Sequence, residues 1–368
     1  MRVESVELRR CRLPLREAFR TSYGVETTRD VLLVRVRTDA GNGWGECGAP
    51  TRPGYTDETI AIAHAALRDR LVARLAGREV TVAVLDEVLG PAEATPMARA
   101  ALELALLDAW LRAEHRSLAS WLGAERARVP AGIALGIATV DETVARVGRA
   151  VVDGYRRVKL KIEPGHDVAV LRVVRAAFPD LALQADANGA YRAVDIDHLR
   201  GIDAVDLQCL EQPFPADDLQ SHVALADASA TPICLDESIG SAADARRAIE
   251  LGACSVVNIK AARVGGLAEA RRIHDVCVAS EVDAWCGGML DTGIARAANV
   301  ALTALPGCTL AGDVSASDRW FDVELTEPLR LDIDGCIPVP TGPGLGVEID
   351  VAAIESVTTS VELVSLRG

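Results

Sequence analysis

The chain has 368 residues, more than one average domain, and 49% of them are hydrophobic, so it is expected to build one barrel-sized unit and a smaller one around a large core. Asp and Glu outnumber Lys and Arg by 53 to 39, and the net charge of −14 argues against nucleic acid or an anionic membrane as partner and for a small molecule or a metal ion. No apolar run approaches the length of a spanning helix, the Met1-Arg2-Val3-Glu4 start lacks the apolar core of a secretion signal, and the nine cysteines occur singly, as in a soluble cytoplasmic protein with reduced thiols.

Residues 1 to about 50 read as a small antiparallel meander. Val3 to Leu8 alternates, Val31 to Val36 and Trp44 to Cys47 follow, and Gly41-Asn42-Gly43 predicts an Asn-Gly hairpin turn before the last strand. From Thr56 to about Gly123 the pattern is helical, most clearly at Met97 to Leu111, where Ala101, Leu104, Leu107, Asp108 and Leu111 recur at helical spacing between polar positions. Residues 1–125 are therefore expected to form an α+β domain.

After Pro130, short apolar runs alternate with amphipathic segments, the pattern of repeated βα units around a parallel sheet. The runs centre on Leu135, Leu160, Ala185, Leu210, Leu235, Ile259, Trp285 and Leu310, a repeat of 24 to 26 residues. One strand, one helix and two short loops consume about that length. Eight units imply a closed α/β barrel over 126–319. Thr139-Val140-Asp141-Glu142 predicts a capping box after the first strand, and Ser241-Ala242-Ala243-Asp244 a similar helix start after the fifth. From Trp320 the period is lost, and 320–368 is expected to pack back on the first domain.

In such barrels the chemistry projects from the C-terminal ends of the strands. Those ends carry Lys159 and Lys161 on the second strand, Asp186 on the third, Glu211 on the fourth, Asp236 on the fifth and Lys260 on the sixth. Residues one period apart occupy equivalent places on neighbouring strands and converge on one mouth. Three adjacent carboxylates should need a cation to stay ionised together, and their oxygens suit Mg²⁺ first and Mn²⁺ second, because no histidine or cysteine stands at an equivalent strand end. Strands two and six lie four apart in a ring of eight, so Lys161 and Lys260 should face each other across the mouth. Lys159 and Lys161 share one side of a strand, and repulsion by the first ammonium should favour the neutral amine at the second. A carboxylate substrate held there would lose its α-proton to a lysine, the divalent ion stabilising the enediolate. That pairing of a Lys base with Mg²⁺ is a known pattern of enolase-superfamily sites.

Each feature also has a plainer reading. A Lys-x-Lys is most often a solvated strand edge, and an acidic residue closing a strand is often a helix cap. Five charged strand ends in register are hard to reconcile with the cost of burying unpaired charge. Gly265-Gly266 before a helix suits a tight turn better than a phosphate cradle. Asp291 is a helix cap or a site residue, and Asn188 either orients a ligand or holds a turn. The six histidines fall mostly in helical segments and are expected at the surface or at helix ends. Trp285 and Met289 are expected to pack in the core, with the pocket wall as the alternative.

The segments Val158-Lys159-Leu160-Lys161-Ile162-Glu163-Pro164-Gly165, Asp186-Ala187-Asn188, Glu211-Gln212-Pro213, Asp236-Glu237-Ser238, Asn258-Ile259-Lys260 and Trp285-Cys286-Gly287-Gly288-Met289 resemble the muconate lactonizing enzyme subgroup of the enolase superfamily. Within it they are most similar to the o-succinylbenzoate synthase/N-succinylamino acid racemase family, as is Ser315-Ala316-Ser317-Asp318-Arg319. The resemblance implies a (β/α)₇β barrel of the TIM type with an N-terminal α+β capping domain completed by the C-terminal tail. It implies Asp186, Glu211 and Asp236 as metal ligands, Lys161 and Lys260 as acid/base groups, Lys159 in support, and a homo-oligomer. Loops Phe19 to Gly24 and Pro50 to Tyr55 would close the site, with Tyr23, Arg52 and Tyr55 near a succinyl carboxylate or aromatic ring, or Arg52 in a surface salt bridge. The chain departs from the family at Ala261-Ala262, where Pro-Gly is usual, and at Asp291, where Glu is usual, which leaves the position of Arg263 open. The implied reaction is o-succinylbenzoate synthesis in menaquinone biosynthesis, with N-succinylamino acid racemisation as a second activity. Other readings are an N-acylamino acid racemase alone, a dipeptide epimerase, a muconate cycloisomerase, a Schiff-base lysine aldolase or a non-catalytic metal-binding protein.

Overall fold

The computed structural model describes residues 1–92 and 94–366. Strands β1 (Val3–Thr21), β2 (Gly24–Thr38) and β3 (Gly41–Cys47) form the expected antiparallel meander, in which Val31 to Val36 supply apolar residues to the core. The turn between β2 and β3 is not at Asn42-Gly43. Thr38 pairs with Gly41 around the two residues Asp39-Ala40, and Asn42 and Gly43 lie in the ladder opposite Arg37 and Val36. Gly43 and Gly45 serve close approach instead, since a Cβ at either would enter the backbone of the long helix at Ala105 or Ala101.

Four helices follow: α1 (Ile60–Ala66), α2 (Leu85–Leu89), α3 (Pro96–Ala113) and α4 (Leu118–Leu122). The polar positions of α3 are not solvated, because the helix is wedged between the sheet and the barrel and buries Arg99, Glu103 and Asp108. Each is matched there. Asp108 accepts from Trp44 N (2.9 Å), Leu345 N (2.8 Å) and Arg112 Nε (2.9 Å).

A short strand β4 (Arg128–Pro130) leads into seven parallel strands: β5 (Gly132–Leu135), β6 (Arg157–Lys161), β7 (Ala182–Asp186), β8 (Cys209–Glu211), β9 (Ile233–Leu235), β10 (Val256–Ile259) and β11 (Asp283–Cys286), each neighbour in space the next in sequence. Helices α5 (Val140–Val152), α6 (Val168–Ala177), α7 (Ile196–Leu199), α8 (Leu219–Ala228), α9 (Ala242–Glu250), α10 (Leu267–Ala279) and α11 (Gly293–Thr303) alternate with them. Thr139 and Glu142 form the capping box, and Ser241 caps α9.

The eighth unit near Leu310 is reduced to two parallel bridges, Ala284 with Cys308 and Ala131 with Gly312. They join β11 to β5, with Gly132 N donating to Gly312 O (2.9 Å), and so close the ring. A Cβ at Gly312 would come within 2.6 Å of Cys286 O, so the segment follows the neighbouring backbone too closely for a regular side-chain-bearing strand. Trp285 lies inside with Cys209, Cys234 and Val256 as core.

Beyond the barrel, β12 (Cys336–Pro338) pairs with β4, and after α12 (Val351–Val357) strand β13 (Thr358–Ser365) pairs antiparallel with β1, so the tail touches both domains. Eight of the nine free cysteines are buried, and among the described residues no helix is long and apolar enough to cross a membrane. Two histidines contradict the surface expectation. His222 and His274 face inward from α8 and α10, where His222 accepts from Phe214 N (3.4 Å) and His274 from Gly307 N (3.0 Å), so a helical histidine can lie on the buried face once both ring nitrogens are matched.

Candidate active site

The parallel register turns the 25-residue spacing into one ring of charge. Lys161 pairs directly with Asp186 across β6 and β7, Asp186 with Glu211 across β7 and β8, and Asp236 and Lys260 follow β9 and β10 immediately. The three ammonium groups then differ in what they meet. Lys159 Nζ lies 2.7 Å from Glu211 Oε2, 2.8 Å from Asp313 Oδ2 and 3.2 Å from Asp186 Oδ2. Lys161 Nζ donates to Asp186 Oδ2 (2.5 Å) and Asn188 Oδ1 (2.6 Å). Lys260 Nζ donates to Asp236 Oδ2 (2.8 Å) and Tyr55 Oη (3.2 Å).

Asp186, Glu211 and Asp236 are fully buried beneath these lysines. The cations set against them among the described residues are the three lysines and Arg263, and no three carboxylate, imidazole or thiol groups of those residues already surround one point. Burial works to raise the Asp186 carboxyl, but Lys161 and Lys159 hold it down to about 2. Burial likewise opposes charge on Lys159, yet Asp313, Glu211 and Asp186 raise it above the ordinary lysine range. The Lys159 charge is thereby committed to carboxylates. In donor type the three carboxylates fit a hard divalent cation, as all their ligating atoms are oxygens.

Above the lysines lies a cavity of about 470 Å³ between the two domains. The first domain contributes Tyr23, Arg29, Arg52 and Tyr55, and the barrel Lys159, Lys161, Asn188, Lys260, Met289, Arg296, Asp313 and Ser315. Six cationic side chains line it against two carboxylates, Glu26 and Asp313, in a chain that is acidic as a whole. Arg52 is exposed at the rim and makes no ion pair among the described residues, so the salt-bridge alternative is not realised. Met289 is on the wall, against Gly48, rather than in the core.

Arg263 lies behind the wall. It donates to Ile239 O (2.9 Å), to Asn258 O (2.9 Å) and to Asp236 Oδ1. The Ala261-Ala262 departure does not distort that turn: neither has positive φ, and the left-handed positions fall on Gly265 (φ 92°) and Gly266 (φ 134°). No phosphate cradle exists there, because Glu103 occupies the start of α10, accepting from Leu267 N (2.5 Å), and a Cβ at Gly266 would overlap its carboxylate. Asp291 is buried away from the cavity, where it accepts from Met289 N (2.9 Å) and Asn299 Nδ2 (2.9 Å) and shapes the loop after β11, while Thr292 and Glu46 cap α11.

Sequence reasoning missed Asp313, Glu237, Arg29 and Arg296. Asp313 was within reach, for it stands at the end of the eighth unit and adds one more rung to the ladder of strand-end charges. Another signal lay in composition: Lys159, Lys161 and Lys260 are the only lysines in the chain, the rest of its 39 Lys and Arg being arginine. Arginine serves equally well as a surface cation but does not deprotonate, so the confinement of lysine to these three strand-end positions is a compositional signal that sets them apart.

Fold and site together define a capped-barrel enzyme of the enolase superfamily. Residues 4–123 match the mandelate racemase/muconate lactonizing enzyme N-terminal domain and residues 142–353 the enolase C-terminal domain-like family. The chain belongs to the mandelate racemase/muconate lactonizing enzyme family. It is 48% identical over 363 residues to an N-succinylamino acid racemase of Amycolatopsis sp, covering 98% of each chain. It is 40% identical over 369 residues to the o-succinylbenzoate synthase of Bacillus subtilis, covering 100% of this chain and 99% of that one. The crystal structure of an enolase-superfamily member from Listeria innocua superposes with a TM-score of 0.94 at 37% identity over 100% of both chains.

Proposed function

We propose that this protein removes the proton next to a substrate carboxylate as an o-succinylbenzoate synthase, a dehydration in menaquinone biosynthesis, and racemises N-succinylamino acids with the same residues. The unequal saturation of the three lysines carries this reading. An ammonium has three protons to donate. Lys159 has three carboxylate neighbours and is a fixed charge. Among the described residues Lys161 and Lys260 each have two acceptors, which leaves one tetrahedral position on each for exchange with a substrate. They stand on opposite sides of the ring, so a carbon between them is approached from two faces. One lysine removing the proton and the other returning one to the opposite face inverts configuration. In the dehydration, Lys161 removes the proton and then protonates the departing hydroxyl, while Lys260 stays charged.

Asp186, Glu211 and Asp236 would hold Mg²⁺, or Mn²⁺ in its place, setting positive charge against the charge that develops on the substrate carboxylate. Asn188 orients Lys161, and Arg263 restrains Asp236. The excess of cations on the cavity wall suits an acid with more than one carboxylate, and Tyr23, Arg52, Tyr55 and Met289 are placed to contact its remainder. On this reading the lid loops belong to a capping domain of residues 1–125, completed by 320–368, and the lysines to a catalytic domain of residues 126–319, in a cytoplasmic enzyme. The test is ultraviolet-monitored dehydration of the o-succinylbenzoate precursor with Mg²⁺ and an EDTA control. Chelator-sensitive turnover is the expected result; exchange of N-succinylamino acids without it would leave racemisation as the function. A Schiff-base mechanism would instead leave a borohydride-trapped adduct.

A further inference from the structure

We propose that Glu237 is a positioning residue, which fixes the amide of Asn188 and through it the direction in which Lys161 presents its uncommitted proton position. The proposal rests on reading Lys161 as a base. Asn188 follows Asp186 in left-handed backbone (φ 45°) and is buried, with its N donating to Asp186 Oδ1 (3.0 Å). Its side chain bridges two groups: Oδ1 accepts from Lys161 Nζ (2.6 Å), and Nδ2 donates to Glu237 Oε1 (2.9 Å).

The two ends of an amide are almost the same shape and opposite in hydrogen-bonding sense. Turned over, Asn188 would point Nδ2 at Lys161, a donor at a donor, and the amine would swing to find another acceptor and carry its free position off the cavity. Glu237 prevents this by accepting at the far end. Without it, Nδ2 would be buried and unpaired, and the amide would rotate to recover a partner. Tyr23, on the tight turn between β1 and β2, joins the same unit: its hydroxyl donates to Asn188 O (2.8 Å) and lies 3.3 Å from Glu237 Oε1. The loop over the cavity therefore seats on the residue that aims the base.

Beyond its bonds to Asn188 and Tyr23, Glu237 has no stabilising partner within hydrogen-bond distance among the described residues. Among the described residues it makes no ion pair with Lys or Arg, its Oε2 is buried without a partner, and the repulsion of Asp186 acts on it against the longer-range attraction of Lys260. A carboxylate so placed costs stability. Asn188 and Tyr23 are the only groups that bond to it among the described residues.

The experiment follows deuterium exchange at the α-carbon of each enantiomer of N-succinylphenylalanine in D₂O, using Mg²⁺-loaded wild type, Glu237→Leu and Glu237→Gln. Lys161→Arg identifies the enantiomer served by Lys161. Glu237→Leu should slow exchange of that enantiomer by about tenfold or more while the Lys260-facing enantiomer stays within about twofold of wild type, which also shows that the variant is folded. Glu237→Gln keeps an acceptor oxygen and should rescue most of the loss. Equal losses from both enantiomers, or none, would overturn the proposal. A second readout needs no substrate: with three lysines in the chain, the ¹⁵Nζ spectrum has three side-chain signals. The Lys161 signal should move in Glu237→Leu and return in Glu237→Gln, and an unmoved signal would sink the proposal. Wild type that exchanges neither enantiomer would refute the base assignment, and the ¹⁵Nζ signals would still judge the role of Glu237.

Discussion

Replacing Lys159 with methionine separates a fixed charge from a base. Methionine keeps much of the volume of the lysine stem and removes only the ammonium. Asp186 would retain Lys161 and Asp313 would retain Arg157, but Glu211 would keep no ion pair among the described residues, only the amide of Asn258, 2.7 Å away, and the more distant charges of Lys260 and Arg263. Breaking a buried pair so that one charge stays uncompensated costs about 3–5 kcal/mol. At about 2 °C per kcal/mol for a large domain, the melting temperature should fall by about 6–10 °C. Calorimetry on metal-free wild type and variant measures this directly. Mg²⁺ should then raise the melting temperature of the variant more than that of wild type, because the loss of an ammonium leaves the carboxylates freer to bind a cation. A metal-free Lys159→Met within about 2 °C of wild type would refute the idea that this ammonium holds the carboxylate cluster together.

Lys161→Arg and Lys260→Arg keep the charge but remove an amine that can deprotonate and act as the base, so each should slow α-proton exchange of one enantiomer by about 10²–10⁴-fold, and equal losses of both enantiomers in either variant would contradict opposed bases. Burial, reinforced by Asp291, pushes the Glu46 carboxyl up to about 8, and burial pushes Glu58 and Glu103 up to about 7. The native state therefore holds protons that the unfolded chain releases, so their contribution to stability is full below the ordinary glutamate range and declines as pH rises from there to about 8. Glu46→Gln should flatten the fall of melting temperature between about pH 5 and pH 8, and an unchanged slope would show that Glu46 does not titrate there. Arg52→Ala should raise KM about tenfold and leave kcat within about threefold if this rim guanidinium holds a remote substrate carboxylate; a loss confined to kcat would place it nearer the reaction.

The ladder Lys161, Asp186, Glu211, Asp236 and Lys260 is legible in the primary structure because a parallel barrel repeats one unit per strand, so equal spacing becomes equal height. The antiparallel meander was legible for a similar reason, as alternation has a single solution once one face is buried. What escaped depends on contacts between distant segments. Arg29 reaches the cavity from β2, and Arg296 from a helix that packs beneath it; neither carries a periodic mark. Glu237 follows Asp236 directly and reads as part of a strand end, yet its meaning comes from Asn188 and Tyr23, residues 49 and 214 positions away. The turn at Asp39-Ala40 displaced the Asn-Gly signal because helix α3 demanded glycines at 43 and 45, and close packing outweighs the preference of a short turn. Sequence by itself determined which residues share a strand end. Tertiary structure alone decided how many acceptors each ammonium meets, because that count depends on side chains from several strands and from the opposing domain arriving within hydrogen-bond distance of one nitrogen.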